Sequence, residues 1–262
     1  MADEPIRFDD GAAYEQMMGV WSRLAGEIFL DWVHPPRGLV WADVGCGNGA
    51  FTELVVERCA PLAVMGVDPS EGQLSYARGR HKAGVASFVQ GDAMALPFET
   101  GSADVAVMAL VIFFVPQPER GVAEMKRVVR PGGIVCAYAW DMLRDGFPLY
   151  PLQAALREMG HEPRTTPRAD ISPVAELAKL WNEAGLQQVE TREITVERPF
   201  ASFDAYWESA TQGPGFKPQL AAMSADAQAE LKRRTAAHIP RDAAGQMVFS
   251  GRANAVKGVV PA

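Results

Sequence analysis

The chain has 262 residues, 48% hydrophobic and 22% charged, with a formal net charge of −7. That balance excludes a disordered chain and allows a substantial core, as one large α/β domain or a domain with an appendage. The acidic surplus gives no general attraction to phosphate backbones, and Lys232, Arg233 and Arg234 form only a short cluster, so nucleic acid is not the expected partner.

Residues 1–10 are polar and carry no periodic signal. Over 14–33, Met17, Val20, Trp21, Leu24, Ile28 and Leu30 recur at helical spacing, which predicts an amphipathic helix interrupted at Gly19 and stopped by His34-Pro35-Pro36. Residues 1–38 are therefore expected as an N-terminal helical arm, and 39–262 as the main domain. Residues 39–51 read as a short apolar strand, three glycines at alternate positions and the first turn of a helix. Gly45, Gly47 and Gly49 have no Cβ, so the backbone can take positive φ and approach a ligand, with the helix's free N–H groups aimed at it.

That helix is expected over 50–59, ended by Pro61. A second strand follows over 63–67, closing on Asp68-Pro69-Ser70, then a helix over 72–82 and a third strand over 86–90 closed by Gly91-Asp92. The apolar run 104–112 suits a buried parallel strand, a helix is expected over 118–129, and Arg130-Pro131-Gly132-Gly133 reads as a turn into a fifth strand over 134–140. Repeated strand–helix alternation calls for a parallel sheet with helices on both faces and right-handed crossovers.

Beyond Trp140 the alternation breaks. Segments 141–185 and 200–245 are expected as cap insertions. The first holds helices over 150–159 and 173–184, the latter N-capped by Ser172 and ended by Gly185. A strand over 187–197 with a slip near Arg192, helices over 202–212 and 225–238, and a strand over 247–256 complete the reading; the last two strands are expected as an antiparallel pair at one sheet edge.

Cys46, Cys59 and Cys136 are odd in number, lack metal-ligand spacing and fall in apolar elements, so they read as reduced thiols of a cytoplasmic protein. No apolar run reaches the roughly 20 residues of a membrane span, and residues 1–5 are acidic where a secretory signal would be basic. His34, His81, His161 and His238 have no metal-ligand spacing, and no metal site is expected.

Gly45-Cys46-Gly47-Asn48-Gly49-Ala50 satisfies the dinucleotide pattern G-x-G-x-x-[G/A], and Asp68, 23 residues after Gly45, lies near the offset of a ribose-binding acid. Taken alone, the loop permits a nicotinamide-dependent oxidoreductase, although no Tyr-x-x-x-Lys pair is visible. Three features point elsewhere: Asp43 ahead of the loop, the third glycine at Gly49, and a second acidic turn at Gly91-Asp92-Ala93.

The motifs Asp43-Val44-Gly45-Cys46-Gly47-Asn48-Gly49, Val67-Asp68-Pro69-Ser70, Gly91-Asp92-Ala93 through Leu96-Pro97-Phe98, and Arg130-Pro131-Gly132-Gly133 follow in that order. Together they resemble the class I S-adenosylmethionine-dependent methyltransferases, and within them the branch that methylates small molecules, including quinone-biosynthesis enzymes. The resemblance covers 39–140 strongly and the terminal strands loosely. It implies a Rossmann-like α/β fold with a seven-stranded, mostly parallel sheet, helices on both faces and an antiparallel last strand. It also implies S-adenosyl-L-methionine as cofactor.

That molecule pairs a nucleoside with a cationic sulfonium and a zwitterionic amino acid end, so its site needs an acid for the ribose, an acceptor for the adenine amine and close backbone for the methionine part. Asp68 is expected at the ribose hydroxyls and Asp92 at the adenine amine, with the Ala93 N–H near a ring nitrogen and Pro69 or Met94 flanking the ring. Gly45, Cys46 and Gly47 supply the close backbone, Asp43 a nearby negative charge, and Leu110 a lining residue at the end of the fourth strand. In the arm, Tyr14 is expected at the methyl-transfer region and Arg23 at the methionine carboxylate. The competing local readings are ordinary turns at Asp68 and Asp92, a loop brace at Asp43, and a packed helix that leaves Arg23 in solvent.

Displacement at a sulfonium methyl has an activated leaving group, so alignment and water exclusion carry catalysis, and a base is needed only if the acceptor must lose a proton. No catalytic residue is assigned. Relatives often carry a polar residue after the fourth strand, where this chain has Phe113 and Phe114; the acceptor pocket is therefore expected to be apolar. It would be bounded also by the arm, by 140–171 and by 203–216 with Tyr206 and Trp207. His161 is the one histidine to test as a base. Three functions stand on sequence alone: methyl transfer to a small apolar or aromatic molecule, nicotinamide-dependent oxidation or reduction, and cofactor binding without catalysis.

Overall fold

A computed structural model describes residues 15–80, 84–213 and 216–262 of the chain. Tyr14 lies outside the described residues. A π-helical turn, Glu15–Gly19, leads into α1 (Val20–Val33), which buries Trp21, Ala25, Phe29 and Val33 along one stripe. The helix stops at His34, whose φ of 49° turns the chain and whose N–H donates to Leu30 O at 2.9 Å.

Strand and helix then alternate, except that no helix separates β3 from β4, through β1 (Val40–Val44), α2 (Ala50–Cys59), β2 (Ala63–Asp68), α3 (Glu71–Arg80), β3 (Ala86–Gln90), β4 (Ala103–Ala109), α4 (Pro118–Val128) and β5 (Val129–Trp140). The remainder is α5 (Tyr150–Glu158), α6 (Val174–Glu183), β6 (Gln187–Glu197), α7 (Phe203–Thr211), α8 (Lys217–Ala221), α9 (Ala225–Ala237) and β7 (Ser250–Val259). All seven strands form one sheet in the order β3-β2-β1-β4-β5-β7-β6. β1 to β5 run parallel, and β7 lies antiparallel between β5 and β6. The chain winds outward from β1 to β3, then returns to lay β4 against β1. The order therefore reverses between β1 and β4, the place where open α/β sheets leave a crevice at the strands' carboxyl ends. The central strands are buried through Trp41, Ala42, Val44, Val105, Ala106 and Val107.

Several expectations shift. The apolar run after Ala103 is strand only to Ala109; Leu110 turns to φ 60°, and Ile112–Phe114 forms a 3-10 turn. The run stays apolar because its end is buried too. Arg130 to Gly133 belongs to β5 rather than to a turn before it, and the register shift between Ala103 and Val105 absorbs the irregularity. Ser172 does not cap α6. It is buried, its Oγ donates to Ala169 O at 2.8 Å and accepts from Met142 N at 3.0 Å, and Pro173 occupies the cap position. The slip in β6 sits between Gln187 and Glu190, with Gln188 at φ 52°, not at Arg192. The last strand starts at Ser250 instead of 247, in register with β5 from Trp140–Ala253 to Ile134–Val259. The short helix α8 has no counterpart in the sequence reading. No helix among the described residues is long and apolar enough to cross a membrane, and the three cysteines are free and buried.

Candidate active site

The loop between β1 and α2 crosses the carboxyl end of the sheet in a tight path. Gly45, Gly47 and Gly49 have φ of 77°, 52° and 78°, a region that favours glycine. Gly45 and Cys46 N–H both donate to Val67 O, at 2.7 and 3.0 Å, which clamps the loop onto the end of β2. A Cβ on Gly45 would lie 2.5 Å from Val111 Cγ1, whereas one on Gly47 would meet nothing within 4 Å. Gly45 is thus required by the protein's own packing, and Gly47 faces open space.

Two acids brace this loop. Asp68 Oδ2 accepts from Gly47 N–H at 3.0 Å, and its Oδ1 accepts from Ser70 N–H at 2.9 Å. Asp43 is 1% exposed; its Oδ2 accepts from Thr52 Oγ at 2.6 Å, while Oδ1 has no hydrogen-bond partner among the described residues. Burial pushes the Asp43 carboxyl up to about 7, against the Thr52 hydrogen bond and helped by the neighbouring charge of Asp68. A buried acid with an unused oxygen is costly, and a donor from outside the protein would offset that cost.

After β3 the chain forms the second acidic turn. Asp92 Oδ1 accepts from Met94 N–H at 2.8 Å and its carbonyl from Ala95 N–H at 3.0 Å. The turn is held from below by α4: Glu124 Oε2 accepts from Leu96 N–H at 2.8 Å, and Arg127 donates to Leu96 O at 3.0 Å and Phe98 O at 2.9 Å. The same guanidinium holds the Glu124 carboxyl below its ordinary value.

These elements enclose a cavity of about 640 Å³, within the roughly 300–1,000 Å³ of small-molecule sites. Asp43, Gly45, Cys46, Gly47, Asp68, Pro69, Asp92, Ala93, Met94, Leu110 and Arg23 all line it. The Cys46 side chain also packs beneath the loop with Leu74, Ala77 and Phe88, and burial pushes its thiol up, so it is neutral. Leu110 holds its positive φ with its N–H donating to Tyr138 O at 2.8 Å, a strained backbone at the cavity wall. Arg23 stands at the wall with Nη2 2.8 Å from Glu57 Oε2 and Nε 3.1 Å from Glu27 Oε1.

Residues that the sequence reading did not single out complete the lining. Tyr138 is buried on β5, with its ring 4.6 Å from Phe29 and 5.8 Å from Phe51. Gln73 and Arg80 come from α3, and Arg80 Nη1 lies 3.0 Å from Glu53 Oε2. Placement in a helix after a motif was the only signal for Gln73 and Arg80, and Tyr138 reads as ordinary core. Other expectations find no place here. His161 is exposed and lines no described cavity, and Tyr206 donates to Pro148 O at 3.2 Å within a cluster with Phe200 and Phe249. Trp207 does not line the cavity either. No group of His, Cys, Asp and Glu among the described residues could hold a metal ion.

The donor set fits a zwitterionic nucleoside: acids on two adjacent turns, open backbone at Gly47 and an unsatisfied buried carboxylate oxygen. Residues 42–137 match the family model described as a methyltransferase domain. The chain is 40% identical over 100 residues to 2-methyl-6-phytyl-1,4-hydroquinone methyltransferase 2 of Oryza sativa, covering 38% of this chain and 29% of that one. It is 28% identical over 209 residues to malonyl-[acyl-carrier protein] O-methyltransferase of Pectobacterium atrosepticum, covering 78% and 79%. The fold matches that of phosphoethanolamine N-methyltransferase 2 of Haemonchus contortus in complex with S-adenosyl-L-methionine, with a TM-score of 0.60, 18% identity, and coverage of 97% of this chain and 58% of that one. The chain spans about a third of the length of several curated relatives that it matches, the Oryza sativa protein among them. Residues 42–137 thus carry a methyltransferase domain, in a fold shared with a methyltransferase solved in complex with S-adenosyl-L-methionine.

Proposed function

We propose that the protein transfers the methyl group of S-adenosylmethionine to a small, apolar molecule. The observation that carries this reading is the convergence of Asp43, the Gly45–Gly49 backbone, Asp68 and Asp92 on one cavity at the reversal point of the sheet. Asp68 would take the ribose hydroxyls. Asp92 would take the adenine amine, with the Ala93 N–H at a ring nitrogen and Pro69 and Met94 against the ring faces. Gly45, Cys46 and Gly47 would present backbone to the methionine part, and an ammonium facing Asp43 Oδ1 would give that oxygen the partner it lacks. Arg23 would approach the carboxylate by leaving Glu57.

The bound cofactor supplies an electrophilic methyl on a leaving group that needs no protonation. What remains for the protein is to hold the acceptor in line and exclude water. Leu110, Val111, Phe114, Val115 and Pro116 line the cavity with apolar groups and offer no base, which supports catalysis by positioning. An apolar wall and an acidic chain both favour a small molecule over nucleic acid. Calorimetric titration with S-adenosylmethionine and, separately, with NADH tests the reading. Micromolar binding of the first and none of the second is expected; binding of NADH alone overturns it.

A further inference from the structure

Behind Leu110 and Phe114 the large cavity adjoins a side chamber of about 70 Å³. Its walls are apolar apart from Gln153, Arg164 and Thr166. Thr166 is 9% exposed and its Oγ has no hydrogen-bond partner among the described residues; Gln153 is 3% exposed; Arg164 lines the same chamber and is half-buried. Arg164 is the one ionisable side chain among the described lining residues, and it already makes an interaction within the protein that an entering anion would share. Two ties hold this segment over the chamber: Arg168 N–H donates to Phe113 O at 3.0 Å, and Gln219 Nε2 donates to Glu162 O at 2.9 Å.

We propose that this chamber is the head-group subsite of the methyl acceptor, and that it takes a carboxylate on an otherwise apolar molecule. A hydroxyl, an amide N–H₂ and a guanidinium are all donors, and together with one positive charge they suit an oxygen anion. Burying an unpartnered hydroxyl is costly unless a ligand supplies the acceptor. Size decides which part enters. The volume is about half that of the roughly 150 Å³ cavity that holds benzene, so a carboxylate fits and a ring does not. The apolar body then lies on the other side of Leu110 and Phe114, where the large cavity is lined by Val111, Val115 and Pro116.

The proposal rests on the methyltransferase reading for the word acceptor, but not for the chemistry of the chamber. The test is calorimetry on the full chain, with and without saturating S-adenosylhomocysteine. The probes are phenylalkanoates of two to six methylenes and the matching phenylalkanols. At least one acid is expected to bind about tenfold or more tightly than its alcohol, the scale of a charge-assisted hydrogen bond. Arg164→Gln should erase that preference and Thr166→Val should reduce it several-fold, with S-adenosylhomocysteine binding unchanged in both. Equal affinities across every acid–alcohol pair overturn the proposal, as does an acid preference that survives Arg164→Gln. If that variant does not fold, the wild-type ratio and Thr166→Val decide. Failure of S-adenosylhomocysteine to bind the wild type would instead strike the methyltransferase reading, and the acid–alcohol ratio measured without it would still judge the chamber.

Discussion

The cavity and its side chamber are built by different means. The side that carries the glycine loop is short-range: Asp43, Gly45, Asp68 and Asp92 sit at strand ends, and Val67 O and the Asp68 carboxylate accept hydrogen bonds from the Gly45, Cys46 and Gly47 N–H groups of the loop. The adjoining side chamber draws Met18, Leu110, Phe147, Gln153, Thr166 and Phe216 from well-separated segments, and side-chain packing sets its shape. Backbone-defined sites tolerate little substitution, because a glycine or an acid there has one job. Packed sites tolerate exchange of one apolar group for another of similar volume.

The largest expected effect tests the first half of that contrast. Gly45→Ala places a Cβ 2.5 Å from Val111 Cγ1 at φ 77°, a clash and strain costing roughly 2–4 kcal/mol. Denaturant unfolding should report that loss, and calorimetry should detect no S-adenosylhomocysteine binding. Gly47→Ala, with nothing within 4 Å, should cost only about 1–2 kcal/mol of stability and yet lose affinity at least tenfold. Equal stability losses for the two would break the distinction between packing and ligand glycines. Asp68→Ala removes the acceptor of the Gly47 and Ser70 N–H groups together with the proposed ribose contact. Its affinity for S-adenosylhomocysteine should fall about 100-fold, two hydrogen bonds to a charged group.

Asp43 gives a pH-dependent test. Its carboxyl is raised from 3.8 to about 7 in the folded state, so the folded protein binds the proton more tightly than the unfolded chain. The stability it contributes is therefore present at acid pH and lost as pH rises from about 4 through 7. Asn at this position cannot ionise. The melting temperature of Asp43→Asn relative to wild type should be near zero or negative at pH 5 and climb by several degrees at pH 8; a flat difference would mean that Asp43 is not buried as an acid. On the packed side, Phe216→Leu should leave S-adenosylhomocysteine affinity within about twofold and cost less than about 1.5 kcal/mol. The smallest effect belongs to Arg23→Ala, whose half-exposed pairs with Glu57 and Glu27 are worth about 1 kcal/mol or less. Affinity should drop a few-fold, and an unchanged value removes the carboxylate role.

The same contrast explains what the sequence made visible. Gly, Asp and Pro at strand ends have local conformational reasons that spacing reveals, so the 40–98 region, its strands and its acidic turns were legible. Apolar walls have no local signature. Tyr138 looks like any inward residue of a strand, and Thr166 and Gln153 acquire meaning only when the fold brings them to the chamber that Phe113 and Phe114 also line. The same limit moved the end of β4: an apolar run gives no sign that Leu110 leaves the strand through a left-handed turn. It also misplaced Ser172, which reads as a cap but is drawn inward to Met142 and Ala169.

The order of strands also sets an order of events. β5 gains its outer neighbour only from β7, and β6 pairs with β7 alone. When residues 40–140 have left the ribosome the parallel half can assemble, but its β5 edge stays an unpaired row of N–H and C=O groups until residues 250–259 arrive. Until then that edge is open to strands of other chains. A contact so distant in sequence forms late. β7 therefore acts as the closing piece of the molecule, and a chain halted before it would expose two sticky edges at once.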